Sequence, residues 1–252
     1  VNDDMPFLVD SVGMALAERG IGVHVLGHPV VKVARDRSGQ LTSVGEGATE
    51  SLMHLEIDRQ SASDAAAIER AVHAVLSDVR GIVQDWPAMR RKMLEITEDI
   101  AKRKMPVSDA GRKEAQEFLR WAADDHFTFL GYREYRVRKQ GSEEVLSADA
   151  DTGLGLLRAR ESAKPRKLTS LAAHYMPQSG AADALILTKT NARATVHRPG
   201  YMDYIGVLSF DAEGRPVAEQ RFIGLYTSSA YNRRPWEIPL VRERHEYVMR
   251  KS

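Results

Sequence analysis

There is no cysteine in these 252 residues. That excludes disulfides, thiolate nucleophiles and cysteine-held zinc or iron–sulfur centres, and a reducing, cytoplasmic setting is the expectation. Charge of one sign is also lacking. Lys and Arg number 36 against 35 Asp and Glu, a net charge of +1. A dedicated nucleic-acid binder needs a basic face, so nucleic acid is not an expected partner. No apolar run approaches the roughly 18 residues of a membrane span, so no membrane segment is expected. Neither a Gly-x-Ser-x-Gly elbow nor a His-Glu-x-x-His helix occurs, nor any internal repeat. The chain also opens without Met, on what reads as a turn, so a fragment with its first strand cut away is expected.

What is present is ordinary globular material, 43% hydrophobic and 28% charged, with room for two domains of about 100 residues. Asp4 and Pro6 read as the cap and first turn of a helix with Leu8, Val12, Ala15 and Leu16 on one face and Gly20 at its end. Alternating residues then mark strands at 21–26 and 30–33, with an interruption at Gly27 and Pro29, and again at 52–57. Ser61 or Ser63 caps a helix whose stripe runs from Ile68 to Val83. This order, strand–helix–strand–strand–helix, is most of a ferredoxin-like unit, its closing strand not evident.

Asp85-Trp86-Pro87 predicts the start of another helix, with Trp86, Met89, Met93, Ile96 and Ile100 inward. Ser108 caps a third, with Ala115, Phe118, Leu119 and Ala122 as its stripe. From His126 the chain turns to strands: 127–135, 185–187, 194–197, and a hairpin of 203–210 with 217–226. The expected organisation is therefore α+β. A ferredoxin-like domain covers 1–84 and a helical connector 85–125. A second antiparallel-sheet domain covers 126–238, and a C-terminal helix begins in 239–252.

Chemistry-bearing patterns are few. Gly45-Glu46-Gly47 and Gly153-Leu154-Gly155 each offer half a dinucleotide fingerprint but not the whole Gly-x-Gly-x-x-Gly, and flexible loop is the better reading. Asp149-Ala150-Asp151 begins like a calcium loop, but the twelfth position holds Arg160 where a Glu is required. His24 and His28 lie four apart without a third ligand, and His174 and His197 are isolated, so no metal is expected. Asp124-Asp125-His126 reads as a helix boundary rather than an acid–base cluster. Arg221 and Arg233-Arg234 flank the aromatic hairpin end Tyr226, Tyr231 and Trp236, a candidate interface or ligand site, and the hollow of the second sheet near Tyr204 and Arg221 is a further candidate ligand site. No catalytic, cofactor or metal-ligating residue is assigned.

Longer stretches carry a resemblance. Val1-Asn2-Asp3-Asp4-Met5-Pro6-Phe7-Leu8-Val9-Asp10-Ser11-Val12, Glu50–Asp58, Asp85-Trp86, Leu130-Gly131-Tyr132, Tyr201–Val207 and Arg221–Ser228 occur in order along the chain. They resemble the N-terminal region of the large NAD-dependent glutamate dehydrogenases. The resemblance implies a parent enzyme that converts L-glutamate and NAD to 2-oxoglutarate, ammonium and NADH. It implies ACT-like and PAS-like modules, tied to regulation and assembly, ahead of the catalytic part. NAD would belong to the parent and no cofactor to this segment, which is expected to be inactive alone. The implied partners are the rest of its own chain and further copies of the parent, with an amino-acid effector as the alternative, sensing role.

ACT domains often hold amino acids at the first strand–helix turn, where the sequence resembles Asp-x-Pro-Gly-x-Leu. Asp4-Met5-Pro6 fits, but Phe7 stands at the glycine. Asn2, Asp4 and Phe7 are thus the candidate effector or interface turn. A Phe side chain would fill the space that glycine leaves open, so this turn is expected to pack rather than bind.

Overall fold

The structure, a computed structural model, describes residues 1–103, 105–158, 166–167 and 185–251. His174 and Arg160 lie outside the described residues. The chain separates into two compact units, one of residues 1–83 with 193–200, the other of 84–192 with 201–251.

In the first unit β1 (Asn2–Asp3) leads to α1 (Leu8–Ala17). Two strands follow, β2 (Val23–Gly27) and β3 (Val30–Arg35). They are separated at the Gly27–Pro29 interruption because proline has no N–H for a ladder. The return path is β4 (Leu41–Val44), β5 (Ala48–Ser51) and β6 (His54–Ile57). One sheet has the order β1-β5-β3-β4, and β2 pairs with β6 apart from it. Sequence patterning predicted neither β4 nor β5. Gly45 and Gly47 form the turn between them at φ +102° and +96°, and a side chain at Gly47 would strike the Val33 carbonyl. The alternation at 52–57 is as expected: Leu55 and Ile57 face inward, His54 and Glu56 outward. Val12, Ala15, Leu16 and Val75 form the buried centre, with Ile21, Met53, Leu55 and Ile57 packed on it.

Helix α2 (Ala62–Lys102) corrects the expectation of two helices, because it runs through Pro87 without a break. Proline forfeits one bond to the carbonyl four residues back. Ile82, Met89, Met93, Ile96 and Ile100 are almost wholly buried on either side, and that burial outweighs the lost bond. Trp86, expected inward, is exposed. Ser61 is the start signal: its hydroxyl accepts from Asp64 N at 3.2 Å.

In the second unit α3 (Asp109–Trp121) begins at Ser108, whose hydroxyl accepts from Gly111 N at 3.1 Å. The segment Ala122–His126, where Asp124 (φ −97°, ψ 66°) and Asp125 (φ +55°) leave helical geometry, ends it and feeds β7 (Phe127–Gln140). The remaining strands are β8 (Glu143–Ala148), β9 (Leu154–Gly155), β10 (Arg166–Lys167), β11 (Leu185–Arg193), β12 (Tyr201–Phe210) and β13 (Pro216–Tyr226). The sheet order is β10-β8-β7-β13-β12-β11, with β9 beside β7. Residues 194–197, expected as a strand, form no ladder: Ala194 is irregular and a bend follows. After β13 come a short helix α4 (Ser228–Tyr231), a 3-10 turn (Pro235–Glu237) and α5 (Val241–Lys251). The fold is thus mixed helix and antiparallel sheet, and residues 85–125 cluster with the second sheet.

Candidate functional site

The Asn2–Phe7 turn corrects the reading of Asp4 as a helix cap. Helix α1 starts at Leu8, and the residue before it, Phe7, sits in the left-handed region at φ +73°. Asp4 instead accepts from Ser51 Oγ at 2.5 Å, and its N–H donates to Thr49 O at 3.2 Å. It therefore ties the turn to β5. The Asn2 side-chain oxygen accepts from Arg80 Nη2 at 2.8 Å. The Phe7 ring meets the imidazole of His197 at a centroid distance of 4.9 Å. His197 N donates to the buried Ser11 Oγ at 3.1 Å. Residues 193–200 thus form a strap over this turn, with Ala194 and Val196 almost wholly buried. Burial holds the His197 imidazole below its ordinary pKa, assisted by Arg198 and opposed by Asp10. Nothing local in the sequence joins His197 to Phe7; the contact is long-range.

The left-handed Phe7 gives the family's glycine a second reason. A backbone at φ +73° favours glycine whether or not a ligand approaches. In this chain the ring and His197 occupy the side of the turn that glycine would leave open.

The second-sheet candidates divide into two groups. Tyr204 and Arg221 come together on one face and are buried. Arg221 Nε donates to Tyr204 Oη at 2.8 Å and to Glu219 Oε1 at 3.1 Å, and Arg221 Nη2 reaches Glu219 Oε2 at 3.2 Å. The Tyr204 hydroxyl donates to Glu219. The guanidinium stacks 4.0 Å over the Tyr135 ring. The paired charges and rings satisfy one another within this network. Tyr231 and Trp236 are exposed elsewhere in the unit, on α4 and the 3-10 turn. The four expected residues therefore do not form one site. Glu219, which completes the network, was missed; its signal is its place two residues before Arg221 on the same strand face.

The weak motifs acquire structural roles. Gly155 N donates to Asp85 Oδ2 at 2.8 Å, and Arg158 pairs with the same carboxylate. A pyrophosphate would need that N–H and would meet the carboxylate, so the Gly153–Gly155 turn does not fit NAD. Asp85 is correspondingly not a helix cap. Asp149 pairs with Arg136 and Arg138, which takes its oxygens from a cation. His24 pairs with Asp58 at 2.8 Å. Asp125 at φ +55° places its carbonyl under Thr227 Oγ1 and Ser229 Oγ, so Asp124-Asp125-His126 is a helix boundary. His126 stacks on Trp121 at 4.5 Å. Among the described residues, no three His, Cys, Asp or Glu side chains converge as metal ligands, and no helix is long and apolar enough to cross a membrane.

Residues 1–72 match the family model described as glutamate dehydrogenase, ACT1 domain. The chain is 37% identical over 263 aligned residues to an NAD-specific glutamate dehydrogenase of Pseudomonas aeruginosa, covering 100% of this chain and 16% of that protein. It is 36% identical to one of Halomonas elongata, covering 99% and 16%, and 28% identical to one of Mycobacterium tuberculosis, covering 94% and 14%. The chain thus spans about a sixth of the length of the curated relatives it matches.

Proposed function

We propose that this chain, related along its whole length to the NAD-specific glutamate dehydrogenases, is a non-catalytic regulatory and assembly segment of such an enzyme. The parent converts L-glutamate and NAD to 2-oxoglutarate, ammonium and NADH, in the cytoplasm, as a homo-oligomer. The observation that carries the reading is the ACT1 match on residues 1–72, together with a first turn whose Asn2 and Asp4 side chains are bonded within their own unit. The second sheet is read as PAS-like, and NAD binding and chemistry belong to the remainder of the parent chain.

The expected partners are that remainder and further copies of the parent. The sensing alternative at the Asn2–Phe7 turn is less favoured, because Phe7 and His197 occupy the side of the turn a ligand would need. Deleting residues 1–84 from the full-length enzyme should change its oligomeric mass by light scattering, or its glutamate-dependent NADH production. Unchanged assembly together with unchanged activity would overturn the reading.

A further inference from the structure

Helices α1 and α2 of the first unit flank a half-open pocket of about 160 Å³. Met14, Ala71, Ala74 and Val75 give it apolar walls, and Asp78 lines it among them. That volume has room for roughly six non-hydrogen atoms.

The Asp78 carboxylate accepts one hydrogen bond, from Thr195 Oγ1 at 2.9 Å, and among the described residues no cation pairs with it. Burial pushes the carboxyl up, and the Thr195 bond offsets this only in part. A half-buried carboxylate with a single bond from a neutral hydroxyl keeps further acceptor capacity toward the pocket. The basic side chain on the same wall, Arg19, is turned to its own helix, where Nη1 donates to Ala15 O at 2.8 Å. Glu18 adds a second carboxylate to the lining. The chemistry that fits is one positive charge able to donate hydrogen bonds, carried on a short apolar body.

We propose that this pocket binds a small primary ammonium compound, its ammonium on Asp78 and its alkyl chain against Met14, Ala74 and Val75. Two sources share that chemistry: a free alkylamine, or an α-amino acid whose carboxylate turns to Arg19. The proposal goes beyond the assembly role and does not depend on it.

The test is a titration of the full-length protein carrying 13C-methyl methionine, with the Met14 signal assigned by Met14→Leu. n-Propylammonium should shift that signal saturably, and n-propanol, the neutral analogue, should not. Asp78→Asn should weaken the response about tenfold, the loss of one charge-assisted bond. Ala74→Leu, which fills the pocket from an exposed helix position, should abolish it. It decides the matter if Asp78→Asn fails to fold. L-Norvaline binding more tightly than n-propylammonium, with the advantage lost in Arg19→Gln, identifies an amino acid as the source; any other ranking of the two identifies a free amine. The proposal is overturned if neither ammonium compound shifts Met14 at about 10 mM, well above a millimolar Kd. It is equally overturned if n-propanol acts alike, or if folded Asp78→Asn or Ala74→Leu responds as wild type. The readout is local, so this failure is distinct from an unchanged assembly or activity.

Discussion

The ring of Phe7 and the imidazole of His197 lie 4.9 Å apart, tilted by 51°, and both residues hold the left-handed backbone, at φ +73° and +79°. Each such residue costs about 1 kcal/mol when it is not glycine. An aromatic pair contributes about 0.5–1.5 kcal/mol beyond its burial. The contact is therefore of the size needed to offset one of the two strained residues.

The first prediction separates backbone from ring. Phe7→Ala and Phe7→Gly both lose the His197 contact, but only glycine relieves the left-handed strain. Glycine is ordinarily the less stable of the two by about 0.5–1 kcal/mol. At position 7 the order should invert, with Phe7→Gly more stable than Phe7→Ala by about 1 kcal/mol. Urea unfolding midpoints of the two variants measure this, and the ordinary order would mean that residue 7 is not held left-handed.

The second concerns the buried Glu219–Arg221 pair. Glu219→Ala leaves a guanidinium in the sheet interior without its carboxylate and should cost about 3–5 kcal/mol. Replacing both residues, as in Glu219→Leu with Arg221→Met, should cost less than Glu219→Ala alone, because no orphan charge remains. A double-mutant cycle read by chemical denaturation checks the inequality.

Elements whose signal is local were legible in the sequence. Ser61 and Ser108 cap helices because a hydroxyl satisfies an N–H two or three residues on, and the 211–214 turn sits between two alternating runs. The β4–β5 hairpin was not legible, since Leu41 and Val44 are exposed and leave no buried face to set an alternation. Pro87 reads as a helix start because its missing N–H is a local fact, whereas the burial of Ile82 and Met89 that carries α2 through it is tertiary. At the candidate sites, Tyr204 and Arg221 could be paired by strand direction. The union of Phe7 with His197 spans most of the chain and has no local signature.

The third prediction follows from Gly155, at φ +55° with its N–H on Asp85. A methyl group there would collide with the Leu130 carbonyl, and a non-glycine residue would carry the left-handed cost as well. Gly155→Ala should destabilise by at least about 2 kcal/mol, more than a surface Gly→Ala change that is neutral or stabilising. Gly141, also at a positive φ but with open space where a methyl group would sit, is the control. Gly141→Ala should cost about 1 kcal/mol, and equal losses at the two sites would refute the steric part of the argument.

The last prediction concerns pH and α5. Arg242 clamps Glu114 and Glu117, and Leu240 N donates to Glu114 Oε2 at 2.8 Å. Burial alone would raise the Glu114 pKa, but the bonds from Arg242 and Leu240 prevail and hold it below the ordinary value. A depressed carboxylate contributes its stability at pH values above the unfolded pKa of about 4.3 and loses it as pH falls through the folded one. None of the described side chains of α5 is buried, so these bonds tether an otherwise exposed helix. Amide hydrogen exchange over Val241–Lys251, corrected for its intrinsic pH dependence, should therefore accelerate below about pH 4 while Met89–Ile100 stays protected. In Arg242→Gln the fast exchange should already be present at neutral pH, with little further change on acidification. A helix that exchanges slowly in that variant at pH 7 would show that α5 is held by something other than the Glu114 clamp.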